Sequence, residues 1–231
     1  MNKYIIKFGK TSKMRYISHL DLMRLFQRSL KRAGIRLVHS QGFNPHPKMS
    51  IAQPLSLGYG STGEYLEFET TLPLTPMELQ DRLNGKLPVG IEILRCGCFR
   101  EGTKTLASVV TYARYEMTIP IYSEIAPDLV SKFLAQPEII VSKVQRKSNK
   151  HLDIDIKPLI RSFTAKSSDG NLSLYMTICC GSVKNLNPEY LAKAFLDYIG
   201  CDNSLLEAAI TRTDLYFLQD DLLLSLDSFI I

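Results

Sequence analysis

Between Ser18 and Gly34 the sequence reads as one amphipathic helix, and neither flank can continue it, which restricts the chain to folds that mix helix with sheet. Steps of about 100° per residue put Leu22, Met23, Phe26, Leu30 and Ala33 on one side and Arg24, Arg28, Lys31 and Arg32 on the other. Ser18 is placed to cap the first turn, with Asp21 three residues on, and Gly34 to end the last turn. Upstream, Tyr4, Ile6 and Phe8 alternate with Lys3, Ile5 and Lys7 at period two, a strand whose lysine-bearing edge is expected to face water. Downstream, Ile35 to His39 reads as a short strand. It leads into Ser40-Gln-Gly-Phe-Asn-Pro-His-Pro-Lys48, where Pro45 and Pro47 remove two backbone donors and stiffen the loop.

The same patterning continues with a strand from Glu64 to Leu72, a helix capped by Thr75 with Pro76 at its first position, and a strand from Ile91 to Cys96. Strand, helix, strand, strand, helix, strand is the order of a ferredoxin-like unit. The polar stretch Gly97 to Ser108 is the expected boundary. Beyond it come strands at Val109 to Ile121, Ile139 to Val144, Leu152 to Ile156, Leu159 to Ala165 and Leu172 to Cys179. Helices are expected at Pro127 to Ala135 and, capped by Asn187, at Pro188 to Ile199, while Leu206 to Leu218 mixes both signals. The expected architecture is α+β: two ferredoxin-like units in tandem, residues 1–98 and 109–231, with antiparallel sheets and helices on one face.

Charge is distributed unevenly. The net charge is +5, yet residues 1–60 hold eleven lysines and arginines against the single acid Asp21, a local +10. Such a skew points to a polyanion, nucleic acid first and an acidic protein surface second, while a solvated face balanced by the acidic remainder stays open. The run Lys143 to His151 reads as a basic hairpin that either extends this track or solvates an exposed tip. Phe43 and Tyr59 are of the kind that stacks on bases or plugs a core.

His19, His39 and His46 fall close together near Asp21 and leave three readings open: a metal, a ligand or phosphate contact, and local hydrogen bonding. Their spacings match no metal motif, so no metal is expected. The five cysteines are odd in number, follow no zinc or cluster spacing, and are expected reduced and mostly buried. No nucleophile elbow, Walker loop, Rossmann glycine set or radical-type cysteine cluster is present. No catalytic residue and no cofactor are therefore expected, although His19, His46, Arg24 and Arg28 are the residue types of a His-dependent ribonuclease, with or without a metal, which stays a further alternative. With no signal-type start and no long apolar run, the expected location is the cytoplasm, without a membrane span.

The runs Arg15-Tyr-Ile-Ser-His-Leu-Asp21, Ser40-Gln-Gly-Phe-Asn-Pro-His-Pro47 and Ala52-Gln-Pro-Leu-Ser-Leu-Gly58 resemble the N-terminal signature of the radical-SAM-associated domain of unknown function. The resemblance continues through Glu64-Tyr-Leu66, Pro88-Val-Gly90, Asp153-Ile-Asp-Ile-Lys-Pro158 and Thr211-Arg-Thr213, with Leu37 and Lys157 as mild departures. It implies a partner more than an activity: such domains occur fused behind, or encoded beside, a cobalamin-type radical SAM protein. The combined expectation is a non-catalytic accessory subunit that binds tRNA or rRNA for a radical SAM partner. Its expected contacts are Arg15, His19, Arg24, Arg28, Lys31, Arg32, Asn44, His46 and Lys48. A protein-docking module without nucleic acid is the alternative.

Overall fold

The computed structural model describes residues 2–99, 102, 104–121, 124–126, 128–144, 151–201 and 208–231. In chain order its elements are β1 (Lys3–Lys10), a 3-10 turn (Ser12–Tyr16), α1 (His19–Arg32), β2 (Met49–Ile51), β3 (Gly60–Glu69), α2 (Pro76–Asn84), β4 (Ile91–Cys98) and α3 (Leu106–Val109). Then follow β5 (Tyr112–Pro120), α4 (Leu129–Ala135), β6 (Ile140–Val144), β7 (His151–Asp155), β8 (Ile160–Ser168), β9 (Asn171–Cys179) and α5 (Pro188–Tyr198). The chain closes with β10 (Ala209–Gln219), β11 (Leu222–Ser225) and a 3-10 turn (Leu226–Phe229). The protein is α+β, its strands mostly antiparallel. Among the described residues no helix is long and apolar enough to cross a membrane.

Two compact units result: Met1–Thr111 together with Thr211–Ile231, and Tyr112–Ile210. The C-terminal segment, grouped by its sequence position with the second unit, thus packs with the first.

In the first unit the strands run β4-β1-β3, each antiparallel to its neighbour, and β2 pairs antiparallel with β3 through Ile51 opposite Leu66. β10 meets β3 in parallel at Thr211 opposite Gly60 and Arg212 opposite Ser61, and β11 folds back on β10. One sheet face carries Tyr4, Ile6, Phe8, Leu66, Phe68 and Ile93, against which α1 and α2 bury Leu22, Phe26, Leu30, Leu79 and Leu83. Phe8 and Phe26 meet edge to face with ring centroids 4.8 Å apart. The amphipathic pattern of α1 is therefore the docking pattern of the helix on the sheet.

The opposite face differs from expectation. Lys3 and Lys7 do not face open water: the Lys3 ammonium lies 3.1 Å from Glu67 and 3.9 Å from the centre of the Phe99 ring. Lys7 reaches Asp227 at 3.0 Å and Asp214 at 3.4 Å. Phe99 stacks on Phe229, and the Cys98 amide donates to the Ile231 carbonyl at 2.8 Å, so the last residues cover this face. A lysine alternating with apolar residues looks the same in sequence whether its partner is water or a carboxylate two hundred residues away.

Ile35 to His39 forms no strand. Only isolated bridges form, Leu37 with Thr70 and His39 with Pro47, and Pro47 has no amide with which to extend a ladder. The Ser40 amide donates to the His46 carbonyl at 2.8 Å, and the Ser40 hydroxyl accepts from the His46 amide at 3.0 Å, closing the Gly/Pro loop on itself.

In the second unit β9 lies between β5 and β8, antiparallel to both. The β8–β9 turn has positive φ at Asp169 and Gly170, the geometry of a two-residue primed hairpin. Phe133 of α4, Phe163 of β8 and Phe195 of α5 form a ring cluster with centroids 5.1 to 5.8 Å apart. β6 and β7 pair as a separate hairpin. The tip of the basic run, residues 145–150, lies outside the described residues.

Candidate functional site

Helix α1 is pinned at both ends. The Ser18 hydroxyl oxygen accepts from the Asp21 amide at 3.2 Å and donates to the Asp21 carboxylate at 2.7 Å. At the far end the Gly34 amide reaches the Lys31 carbonyl and the Ile35 amide the Leu30 carbonyl, with Gly34 at φ +72°, which completes a Schellman stop. With its apolar stripe in the core, the helix has one orientation left for its cations. Arg24, Arg28, Lys31 and Arg32 are all exposed.

Three of them line one groove. Arg24, Arg28 and Arg32 recur every fourth residue along α1 and face the turn Gly85–Pro88 across a cavity of about 610 Å³, with Lys86 on the far wall. The Arg32 guanidinium donates to the Lys86 carbonyl at 2.7 Å and to the Ser29 hydroxyl at 2.9 Å, and Ser29 donates to the same carbonyl at 3.2 Å. These bonds fix the width of one end. Among the described residues the groove's only acid is Asp21, whose carboxylate already accepts from Ser18 and from Arg24, the latter at 3.2 Å. The Ser18 hydroxyl foremost, and then Arg24, hold its carboxyl below the usual range.

Among the described residues no carboxylate from outside α1 pairs with Arg24, Arg28, Lys31 or Arg32. The other cations of the first sixty residues are placed differently. Lys3, Lys7 and Lys48 each meet an acid, Lys48 through Glu69 at 3.0 Å. Lys10 is buried and donates to the Arg15 and Ile17 carbonyls, and burial pushes its pKa down. Within the local +10, Lys3, Lys7 and Lys48 are thus neutralised by acids beyond α1, whereas of the four cations on the helix Arg24 alone meets a carboxylate, that of Asp21 on the same helix, among the described residues.

The expected contact residues do not converge on one point. Arg15 donates to the Gly58 carbonyl at 2.5 Å, and the Gly58 amide returns to the Arg15 carbonyl at 2.9 Å, so it ties the chain before α1 to the Gly58 loop. Lys31 lines a second cavity of about 700 Å³ with Arg36, His39 and Pro47. His19, Asn44 and His46 line neither cavity. Among the described residues no set of three or more His, Cys, Asp or Glu side chains is placed to hold a metal. Tyr59 is buried, whereas Phe43 is exposed at the loop tip. Burial lifts the Cys96 thiol up to about 12, so it stays protonated at neutral pH.

Sequence reasoning missed Lys86. It falls between the second helix and the strand that follows, in a stretch assigned no role, and nothing local reveals that its carbonyl receives Ser29 and Arg32 from a helix more than fifty residues upstream.

Glu64, Arg212 and the Gln53-Pro54 segment, quoted separately from the sequence, meet in one buried cluster. Arg212 binds the Glu64 carboxylate through Nε at 2.7 Å and Nη2 at 2.5 Å, and also donates to the Gln53 and Pro54 carbonyls. A family profile, that of an uncharacterized protein conserved in bacteria (DUF2344), matches residues 3–188. The chain belongs to the DUF2344 family. The DUF2344 match takes in α1 and both cationic cavities and stops before β10, so Arg212 lies outside it. No curated protein matches this DUF2344 chain.

Among solved structures, a chain in the crystal structure of a Cbf5-Nop10-Gar1 complex is similar at 8% identity and TM-score 0.50, covering 94% of this chain and 50% of that one. The DUF2344 chain thus spans half the length of that neighbour, and the likeness bears on fold alone. An unknown protein from Galdieria sulphuraria matches at 11% identity and TM-score 0.26, over 94% of this chain and 99% of that one. The encapsulated DyP-type peroxidase from Mycobacterium smegmatis matches at 11% identity and TM-score 0.21, over 87% and 85%. Neither of these last two has any bearing on the fold.

Proposed function

We propose that the protein is a non-catalytic, cytoplasmic accessory subunit that binds RNA, tRNA or rRNA, on behalf of a radical SAM partner. The supporting observation is the row Arg24, Arg28, Lys31 and Arg32, rigidly mounted and without distal carboxylates among the described residues. Four cations on one helix face repel one another, and a bound phosphate backbone relieves that repulsion while releasing counterions. The radical SAM partner rests on the sequence resemblance.

The test is RNA binding by purified protein across a salt series, alongside the Arg24→Ala/Arg28→Ala double variant. Binding that weakens steeply from low to physiological salt, and that the variant loses with its circular dichroism unchanged, supports the reading. Salt-independent binding, or no RNA binding at low salt together with nuclease-resistant capture of a partner, replaces it with the protein-docking alternative.

We also read each unit as ferredoxin-like. For the first, the order β4-β1-β3-β2 with α1 and α2 on one face supports this; for the second, β5-β9-β8 with α4 and α5 does, the β6–β7 hairpin being an insertion.

A further inference from the structure

We infer that the groove between α1 and the Gly85–Pro88 turn holds an unpaired nucleotide of the RNA, phosphate and base together, rather than serving as a purely cationic rail. The inference rests on the RNA reading above and adds to it a specific occupant.

The groove has two kinds of surface. Its exposed lining is charged, Arg24, Arg28, Arg32 and Lys86 with the single acid Asp21 among the described residues, and its half-buried lining, the floor, is apolar, with Leu25 and Leu87 from opposite walls. Arginines at every fourth residue stand about 6 Å apart along the helix axis, so a chain of phosphates following α1 meets one cation after another. Phosphates alone have no use for the apolar floor, since covering it with a fully hydrated ion removes no apolar surface from water. A flat heterocycle does cover it, and base stacking on such platforms is sequence-tolerant. A duplex cannot supply that base, because its bases are already stacked within the helix. A cavity of about 610 Å³ lies within the range of small-molecule sites.

The groove offers its own probe. Gly85 lines it with φ −70°, and a Cβ there would meet no atom within 4 Å. Gly85→Phe therefore adds a bulky ring at the wall of the groove while leaving every cation in place.

The experiment measures affinity for single-stranded oligoadenylate, for its duplex with oligouridylate and for inorganic polyphosphate. It uses wild type, Gly85→Phe, Arg28→Glu and Lys31→Glu, with folding checked by thermal melting. The expected result is a loss of roughly tenfold in oligoadenylate binding by Gly85→Phe with little change for duplex or polyphosphate. Arg28→Glu, inside the groove, should weaken oligoadenylate more than Lys31→Glu, the same reversal outside it. If Gly85→Phe binds oligoadenylate like wild type, or loses polyphosphate equally, the nucleotide site is overturned while the RNA reading stands. Equal losses for the two charge reversals overturn it as well, and they remain informative should Gly85→Phe fail to fold. Wild type that binds none of the RNA probes at low salt overturns the RNA reading itself.

Discussion

Arg212 and Glu64 face each other through two parallel hydrogen bonds of 2.7 and 2.5 Å, with both side chains 1% exposed and a sequence separation of 148. The guanidinium fork also ties down the Gln53 and Pro54 carbonyls ahead of β3, so the pair couples three separate segments of the first unit. Removing one partner strands a charge away from water. Glu64→Ala and Arg212→Ala should each cost about 3–5 kcal/mol in urea unfolding, whereas a matched apolar pair at both positions should cost less than either. A single variant that unfolds at the wild-type midpoint would contradict this.

Gly63 marks a second close approach. A Cβ there would sit 2.2 Å from the Thr213 carbonyl oxygen, which is backbone and cannot swing aside. Gly63→Ala should lower stability by at least about 1–3 kcal/mol, read as a drop in melting temperature, although alanine favours folded chains at unconstrained sites.

How much of this was legible beforehand depended on sequence distance. The helix α1, its buried stripe of Leu22, Phe26 and Leu30, and the caps at Ser18, Thr75 and Asn187 are short-range patterns, and each is present as read. Leu206 to Leu218 gave mixed signals, and β10 occupies most of it: its pairing with β3 and the Arg212 bond to Glu64 lie far outside any local window. The same limit hid the partners of Lys3 and Lys7. For the groove, the arginines were visible at once, but the Gly85–Pro88 wall that turns a charged face into a cavity was not.

The N-terminal cap of α1 should respond to acid. Asp21 has a lowered pKa, so the stability it lends is present above the ordinary carboxylate range and is lost as pH falls through its folded value. Ser18→Ala should cost about 1 kcal/mol at neutral pH and should flatten the acid limb of a stability profile relative to wild type. Parallel limbs would show that Asp21 is held by something else.

Lys10 titrates with the opposite consequence. Burial lowers its pKa, so the folded protein releases this proton before the unfolded chain does, and stability rises with pH through the window just below 10.5. Wild type should therefore gain on Lys10→Met as the pH is raised through that window. A constant difference between the two would refute the assignment.

Salt should reveal how many phosphates the helix holds. Each cation that neutralises a phosphate of a single strand contributes about 0.7 to the slope of log affinity against log salt, so Arg24→Ala/Arg28→Ala should reduce the slope by roughly 1.4. Lys48→Ala, whose charge is already spent on Glu69, should leave that slope nearly unchanged.

The return of residues 211–231 to the first unit sets an order on biosynthesis. A ribosome delivers β1 to β4 early, but the arginine that satisfies Glu64 emerges 148 residues after it, when the whole of the intervening unit has been translated. The β1–β4 sheet can close on α1 and α2 early, but its bond to Arg212 can form only after the middle unit has been made. Until then the nascent chain holds the Glu64 carboxylate without the guanidinium that pairs with it.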